Sequence, residues 1–250
     1  PHALPLAPSL AEAVQRGSGG LRMKVRMATD STEVEEDSRS LAGGDGIEVR
    51  WVMPEGFLEL PFEAEDLDDL ADQLLAFAAT TLPGADEEVR VQWAVMCALN
   101  YDDFIEAGVQ YAGFVTTEVE GVRCTATVNV SMTDLDERAG RNPAGFIATT
   151  MRHLDIGEVT EVMLPCGPAV TCVGSRQAMV DAALTQTGQA EPLTTSFIQV
   201  QIPVKNGTAV VLEMGTPTAE GWDTFSAMFA GIVKSVRFFD DEGATVVMPG

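Results

Sequence analysis

"TPTAEGWDTFSAMFAGIVKSVRFF", residues 216–239, is the stretch whose spacing decides the fold. Trp222, Phe225, Phe229, Ile232, Val233 and Val236 recur every three or four residues, which places them on one side of a helix. Asp223, Thr224, Ala227, Ala230 and Lys234 take the other faces. Thr216-Pro217 leads into the helix, Thr218 or Glu220 can cap or charge its start, and Lys234 and Arg237 suit the negative end of its dipole. A helix lying on a membrane would carry cations all along its polar face. Here they come only near the end, so the expected role is to dock one apolar stripe onto a sheet.

Working back from that helix, "SFIQVQIPV" and "TAVVLEMGTP" are joined at Lys205-Asn206-Gly207, where Asn-Gly is a strong hairpin signal. Ile198, Val200 and Ile202 oppose Phe197, Gln199 and Gln201, and Val210, Leu212 and Met214 supply a matching apolar face. A second hairpin is expected where "YAGFVTTEV" and "VRCTATVNVSM" flank Glu120-Gly121. There Val122, Cys124, Ala126, Val128 and Val130 share one face, and Thr125, Thr127 and Asn129 the other. "EVTEVML" and "PAVTCVGSRQ" form a third strand pair around Pro165-Cys166-Gly167-Pro168, and "TQTGQAEPLTT" reads as a polar spacer. "NPAGFIATTMRHL" predicts a short helix with Asn142 as its cap and Pro143 at its first position.

Upstream, Ile47, Val49, Trp51 and Met53 alternate with Glu48 and Arg50, as a half-buried strand requires. "EDLDDLADQLLAFAATTLPG" predicts a helix with an acidic first turn, Leu67, Leu70, Leu74 and Phe77 or Ala78 at helical spacing, and a stop at Pro83-Gly84. "DEEVRVQWAVMCALNYDDFIEAG" predicts another, stopping at Gly108, with Asn100-Tyr101 as a point of interruption. Hairpins dominate this order. The expected class is α+β, an antiparallel β-sheet flanked by helices, in one domain over residues 47–250. Residues 1–46, with the acidic run "DSTEVEEDSRS" and little apolar periodicity, are expected to form a disordered or loosely attached arm. Residues 1–22 are further expected to be over-extended reading frame, with Met23 and Met27 as candidate starts.

The 250 residues are 46% hydrophobic, enough for a packed core. Lys and Arg number 15 against 38 Asp and Glu, a net charge of −23 that repels phosphate backbones and anionic headgroups. No nucleic acid and no membrane partner is therefore expected. No apolar run approaches the roughly 18 to 20 residues of a spanning helix. The opening "PHALPLAPSLAEAVQRGSGG" lacks the basic start and apolar stretch of a secretory signal, and a cytoplasmic location is expected. Cys97, Cys124, Cys166 and Cys172 show no CxxC spacing and read as reduced, buried thiols.

Candidate chemistry is sparse. The histidines are His2, in the N-terminal arm, and His153, which all but excludes a triad or a histidine-rich metal site, and His153 fits a helix end. Cys166 and Cys172 are expected on one face of an extended segment, about 20 Å apart at strand rise, too far to share a bridge or a metal. Asp134, Asp136 and Glu137 in "TDLDERAGRN" lack the ligand spacing of a calcium loop and read as a solvated turn. "GSGG" and "GGDG" complete no phosphate-binding motif. No catalytic, cofactor-binding or metal residue is assigned, and no cofactor is expected.

The closing helix running into Ser-Val-Arg-Phe directly after a strand resembles the Mog1/PsbP-like family. "MPEGFLEL", "LPCGPAV" and the "QIPV…AVVLEM" hairpin look like actinobacterial members of that family whose function is unknown. The resemblance covers about residues 47–239. It implies an antiparallel sheet between helices and non-enzymatic work, since relatives assist a small GTPase, bind a photosynthetic complex or occur as actinobacterial lipoproteins. No family catalytic residue carries over. The expected function is a soluble, non-enzymatic binding or adaptor protein with an unidentified protein partner. A carboxylate-dependent hydrolase and a structural or secretion-linked assembly component are the alternatives.

Overall fold

The computed structural model describes residues 38–42, 46–62, 64–99, 101–180, 182, 185, 187–205 and 207–248. Most of the arm expected over residues 1–46, including the whole of its first 22 residues, lies outside them. Within that arm, however, Ser38–Ala42 forms strand β1 and pairs antiparallel with β2, Glu48–Val52. Leu41 is buried in the core, so one apolar contact draws this polar segment into the sheet.

The remaining strands are β3 (Leu58–Glu59), β4 (Val109–Val119), β5 (Val122–Asp134), β6 (Glu158–Leu164), β7 (Gly167–Val180), β8 (Glu191–Pro203), β9 (Thr208–Thr216), β10 (Arg237–Phe239) and β11 (Thr245–Val246). The helices are α1 (Leu67–Thr81), α2 (Glu87–Leu99), α3 (Tyr101–Glu106), α4 (Pro143–Leu154) and α5 (Trp222–Ser235). Among the described residues one sheet has seven strands in the order β3-β4-β5-β9-β8-β7-β6, and a smaller one has the order β1-β2-β10-β11. Every neighbouring pair is antiparallel. The expected α+β class and antiparallel architecture are the observed ones.

Local chemistry sets the joints. Glu120 and Gly121 both have positive φ, 51° and 82°, the paired left-handed conformation of a two-residue hairpin turn. Asp66 accepts from the N–H groups of Asp68 and Asp69 at the start of α1, and Asn142 accepts from Gly145 N at the start of α4. The helix read over residues 86–108 is described as α2, ending at Leu99, and α3, beginning at Tyr101; Asn100 of the expected interruption lies outside the described residues.

On one face of the seven-stranded sheet, Cys124, Ala126, Val128, Val130, Ile198, Val200, Ile202, Val210, Leu212 and Met214 join Phe225, Phe229, Ile232 and Val233 of α5 in a single core. Val49, Trp51 and Phe238 of the smaller sheet close the other side of α5. Each fully buried Phe, Ile or Val there contributes about 1.5–3 kcal/mol relative to an exposed position. The stripe read from the sequence is the packed one, although Ala230 and Ser226 are buried beside it and Trp222 is only partly so.

One end of α5 differs from expectation and the other follows it. The Thr218 hydroxyl makes no cap bond and instead accepts from Thr125 N of β5 at 3.2 Å, pinning the approach to the helix onto the sheet. At the other end Arg237 donates to the carbonyls of Lys234 and Val236 at 2.7 Å each, closing the helix as its charge suggests. The chain then continues as β10 against β2, with Phe238 opposite Val49.

The reverse face is divided. Leu60, Leu70, Leu74, Ala78, Ala94 and Ala112 pack α1 and α2 over the β3-β4 end. Ile147, Ala148 and Met151 of α4 cover Val170, Cys172 and Phe197 toward the β6 end.

Candidate functional site

Strand pairing leaves part of β7 and β8 standing alone. β6 pairs with β7 only over Gly167–Val173, and β9 pairs with β8 only over Ser196–Pro203. Among the described residues, from Ser175 to Val180 and from Glu191 to Thr195 the two strands have only each other as partners. They form a ribbon five residue pairs long, counting Arg176↔Thr195 through Val180↔Glu191. Met179 is 65% exposed and Leu193 42% exposed on it. A two-stranded hairpin without a packed face is marginal in water.

The base of the ribbon is held by specific contacts. Arg176 pairs with Glu213 of β9, its guanidinium lies 5.1 Å from the centre of the Phe197 ring, and Gln199 donates to the second Glu213 oxygen at 3.0 Å. Gln201 donates in turn to Gln199 at 2.9 Å. These residues form a polar strip across the face that α1–α3 and α4 leave open between them. The loop before β6 also seals the β7 base: a Cβ on Gly174 would come within 2.3 Å of the Ile156 carbonyl oxygen.

A pocket of about 170 Å³ lies between the helices and the β4-β5 end of the same face. Phe77 of α1, Trp93, Met96 and Cys97 of α2, Phe104 of α3 and Phe114 of β4 form its walls, while Thr127 and Asn129 of β5 bring the polar side chains. Ala112 and Gly113, the smallest residues of β4, leave the room for it. Trp93 meets Phe114 edge to face at 5.1 Å, and its Nε1–H is buried without an acceptor among the described residues. Burial pushes the Cys97 thiol up to about 11, so at neutral pH it is an uncharged wall residue.

The residues weighed from the sequence stay apart. His153 Nδ1 lies 2.7 Å from the Thr149 carbonyl within α4. Asp136 caps the single turn Glu137–Ala139 and pairs with Arg138, whose hydrogen bonds pull its carboxyl down to about 2. That turn rims a broad polar cleft of about 670 Å³ with Arg141 and Lys205, and no group of three His, Cys, Asp or Glu fit to hold a metal occurs among the described residues. Resolved shifts at Glu48, Asp69 and Asp136 are all downward, each led by hydrogen bonding to the carboxylate. No helix among the described residues is long and apolar enough to cross a membrane.

Cys166 and Cys172 do not share a face. Cys166 belongs to the main core, whereas Cys172 packs with α4 on the reverse side. Strand alternation fails to relate them because Cys166 sits in the turn before β7 and Gly167 follows with φ 135°. Burial pushes the Cys166 thiol up to about 11.

No protein-family model and no curated protein matches the sequence. Among solved structures the fold is similar to LpqN of Mycobacterium tuberculosis, described as involved in cell envelope biogenesis. That similarity has 12% identity and a TM-score of 0.34, over 80% of this chain and 90% of that one. It is also similar to the Ran-binding protein Mog1p of Saccharomyces cerevisiae, with 13% identity and a TM-score of 0.36, over 80% of this chain and 93% of that one. No residue of this chain takes a role from either protein.

Proposed function

We propose that the protein is a non-enzymatic binding protein that holds a protein partner on the β7-β8 ribbon. The observation that carries this reading is the open edge of β7 from Ser175 to Val180, which no other described strand or helix covers. An uncovered edge offers backbone N–H and C=O groups to an extended segment, and natural sheets blunt such edges with Lys, Pro, bulges or cover. In "SRQAMV", residues 175–180, there is no Lys or Pro, and Arg176 is drawn back toward Glu213. The β8 side is less receptive, because Pro192 has no N–H to donate. The partner is therefore a protein that lays down a strand-forming segment with apolar side chains for Met179 and Leu193.

A photoreactive amino acid placed at Met179 tests this in extract from cells that make the protein. A second placed at Leu154, exposed on the last turn of α4, serves as control. The expected outcome is one stoichiometric crosslink from position 179 and none from 154, with the crosslinked partner slowing amide exchange over residues 175–180. Equal labelling at both positions, or a crosslink that leaves exchange there unchanged, refutes the ribbon as the binding edge.

A further inference from the structure

We infer that residues 21–27 of this chain, "LRMKVRM", dock on the outward face of α1 and α2. A surface helix buries one apolar stripe and shows a polar face to water, whereas a helix apolar on all sides is a covered one. In α2, Ala94 and the partly buried Trp93 and Cys97 pack inward, yet Val91 and Val95, one turn apart, are 42% and 46% exposed on the outside. Leu75 of α1 is exposed likewise.

The surroundings set the charge of the cover. Asp72 precedes Leu75 by one turn and Glu88 precedes Val91 by one turn, so a carboxylate stands beside the outward apolar residues of both helices. Asp68, Asp72, Glu87 and Glu88 take part in none of the ion pairs among the described residues. Residues 63–106 hold twelve Asp and Glu against one cation, Arg90, which donates to the carbonyls of Leu82 and Pro83. The complementary segment is apolar and cationic.

Such a segment stands upstream of β1. Leu21, Met23, Val25 and Met27 alternate with Arg22, Lys24 and Arg26, which are three of the chain's 15 Lys and Arg. In an extended chain the four apolar side chains share one face, and the long cationic ones reach past its edges to flanking carboxylates. The acidic run at residues 33–37 is nearer but has one apolar side chain, Val34, and would leave that face wet. Position agrees with chemistry. Arg39 of β1 pairs with Glu59 of β3 at 2.9 Å, and the adjoining Leu60 packs with Leu70 and Leu74 of α1 and Ala94 of α2. The arm therefore leaves the fold beside these helices. A tether over residues 28–37 spans up to ~36 Å extended and ~18 Å as a coil, and α2, 13 residues long, measures ~20 Å. The site uses neither strand of the ribbon and stands whether or not a protein partner binds there.

The test uses the purified full-length chain with a small diazirine amino acid at Val95, prepared as a mixture of isotopically heavy and light molecules. The expected result is a crosslink within one molecule, mapped by mass spectrometry to residues 21–27, and none from the same group placed at Leu154. Replacing Arg22, Lys24 and Arg26 together by Gln should lower the yield about tenfold, the effect of losing three exposed ion pairs. Replacing Leu21, Met23 and Val25 together by Ser should lower it as well. Absence of a crosslink to residues 21–27, or equal labelling of them from position 154, overturns the docking. A crosslink joining heavy to light molecules overturns it in favour of a second copy. Undiminished yield in the glutamine variant overturns the charge match, and undiminished yield in the serine variant overturns the apolar one.

Discussion

Replacing Phe229 by Ala tests the central packing claim. Phe229 is fully buried between the seven-stranded sheet and the smaller one. A buried aromatic side chain removes ~150–250 Å² from water, which at ~25 cal/mol per Å² corresponds to about 4–6 kcal/mol before the remaining methyl is counted. Measured Phe to Ala changes in cores fall at about 3–5 kcal/mol, so a loss of about 4 kcal/mol is expected. A domain of this size holds only ~5–15 kcal/mol in total, and the variant should survive as a weakly folded protein. The assay is equilibrium unfolding in urea, followed in parallel by tryptophan fluorescence and far-ultraviolet circular dichroism. The midpoint should fall with little change in slope, and Tm should drop by about 8–16 °C, taking ~2–4 °C per kcal/mol. Phe229→Leu should lose much less because most of the volume is kept. Phe229→Asp should not fold, because a carboxylate there would be buried without a partner. A loss below ~1 kcal/mol for the alanine variant, against the usual range for core substitutions, or a soluble and folded aspartate variant, would mean that the stripe of α5 faces a partner rather than the sheet.

Other outcomes follow from the same geometry. Arg138→Ala should raise the Asp136 pKa from about 2 toward 3.8, read by carboxyl NMR. Because the folded value is the lower one, the pair's stabilisation is present above the unfolded pKa and lost as pH falls through the folded value, so this part of the acid response should vanish in the variant. For Cys97 and Cys166 the sign is reversed, since burial raises both from 9.0 to about 11. Their contribution is full below about pH 9 and lost as pH rises through the folded value, and a thiol-reactive dye should label them slowly in native protein at pH 8 and rapidly in urea. Gly174→Ala forces a Cβ to within 2.3 Å of the Ile156 carbonyl oxygen, and the resulting shift of the loop should cost about 1–3 kcal/mol in urea unfolding. Arg176→Ala removes the contacts to Glu213 and Phe197, and amide exchange over residues 175–180 should accelerate more than exchange in β5.

The parts of the fold legible in the sequence are those with one wet and one dry face. Cys124, Ala126, Val128 and Val130 alternate with polar residues because β5 is central and its reverse side is only partly covered, so period two is visible. The ribbon has no such signature. Residues 175–179 and 191–194 are exposed on both faces, no apolar alternation marks them, and "TQTGQAEPLTT" reads as a spacer although β8 begins at Glu191. β1 is hidden for a related reason: a single buried Leu41 in a polar run gives no period. The pocket was invisible because its walls come from α1, α2, α3, β4 and β5, joined only by tertiary packing. Exposed Val89, Val91 and Val95 also blur the apolar side of α2, so Trp93 could be placed on a buried stretch but not against a cavity.

The two faces of the seven-stranded sheet divide stability from recognition. One face is filled by α5 and the smaller sheet with side chains almost wholly removed from water, and a cavity or a charge there is paid for by the whole domain. The other is covered at its ends by α1–α3 and α4, which leaves Glu213, Gln199 and Gln201 exposed enough to remain polar but near enough to satisfy one another. The side chain of Glu213 is only 15% exposed and depends on Arg176, which stands at the root of the ribbon. A carboxylate so placed is costly when its cation is taken away, so the same ion pair that draws Arg176 off the β7 edge also ties the root of that edge to β9. Variants of Arg176 and of Met179 should therefore differ in kind: the first alters how rigidly the edge is presented, the second what it presents.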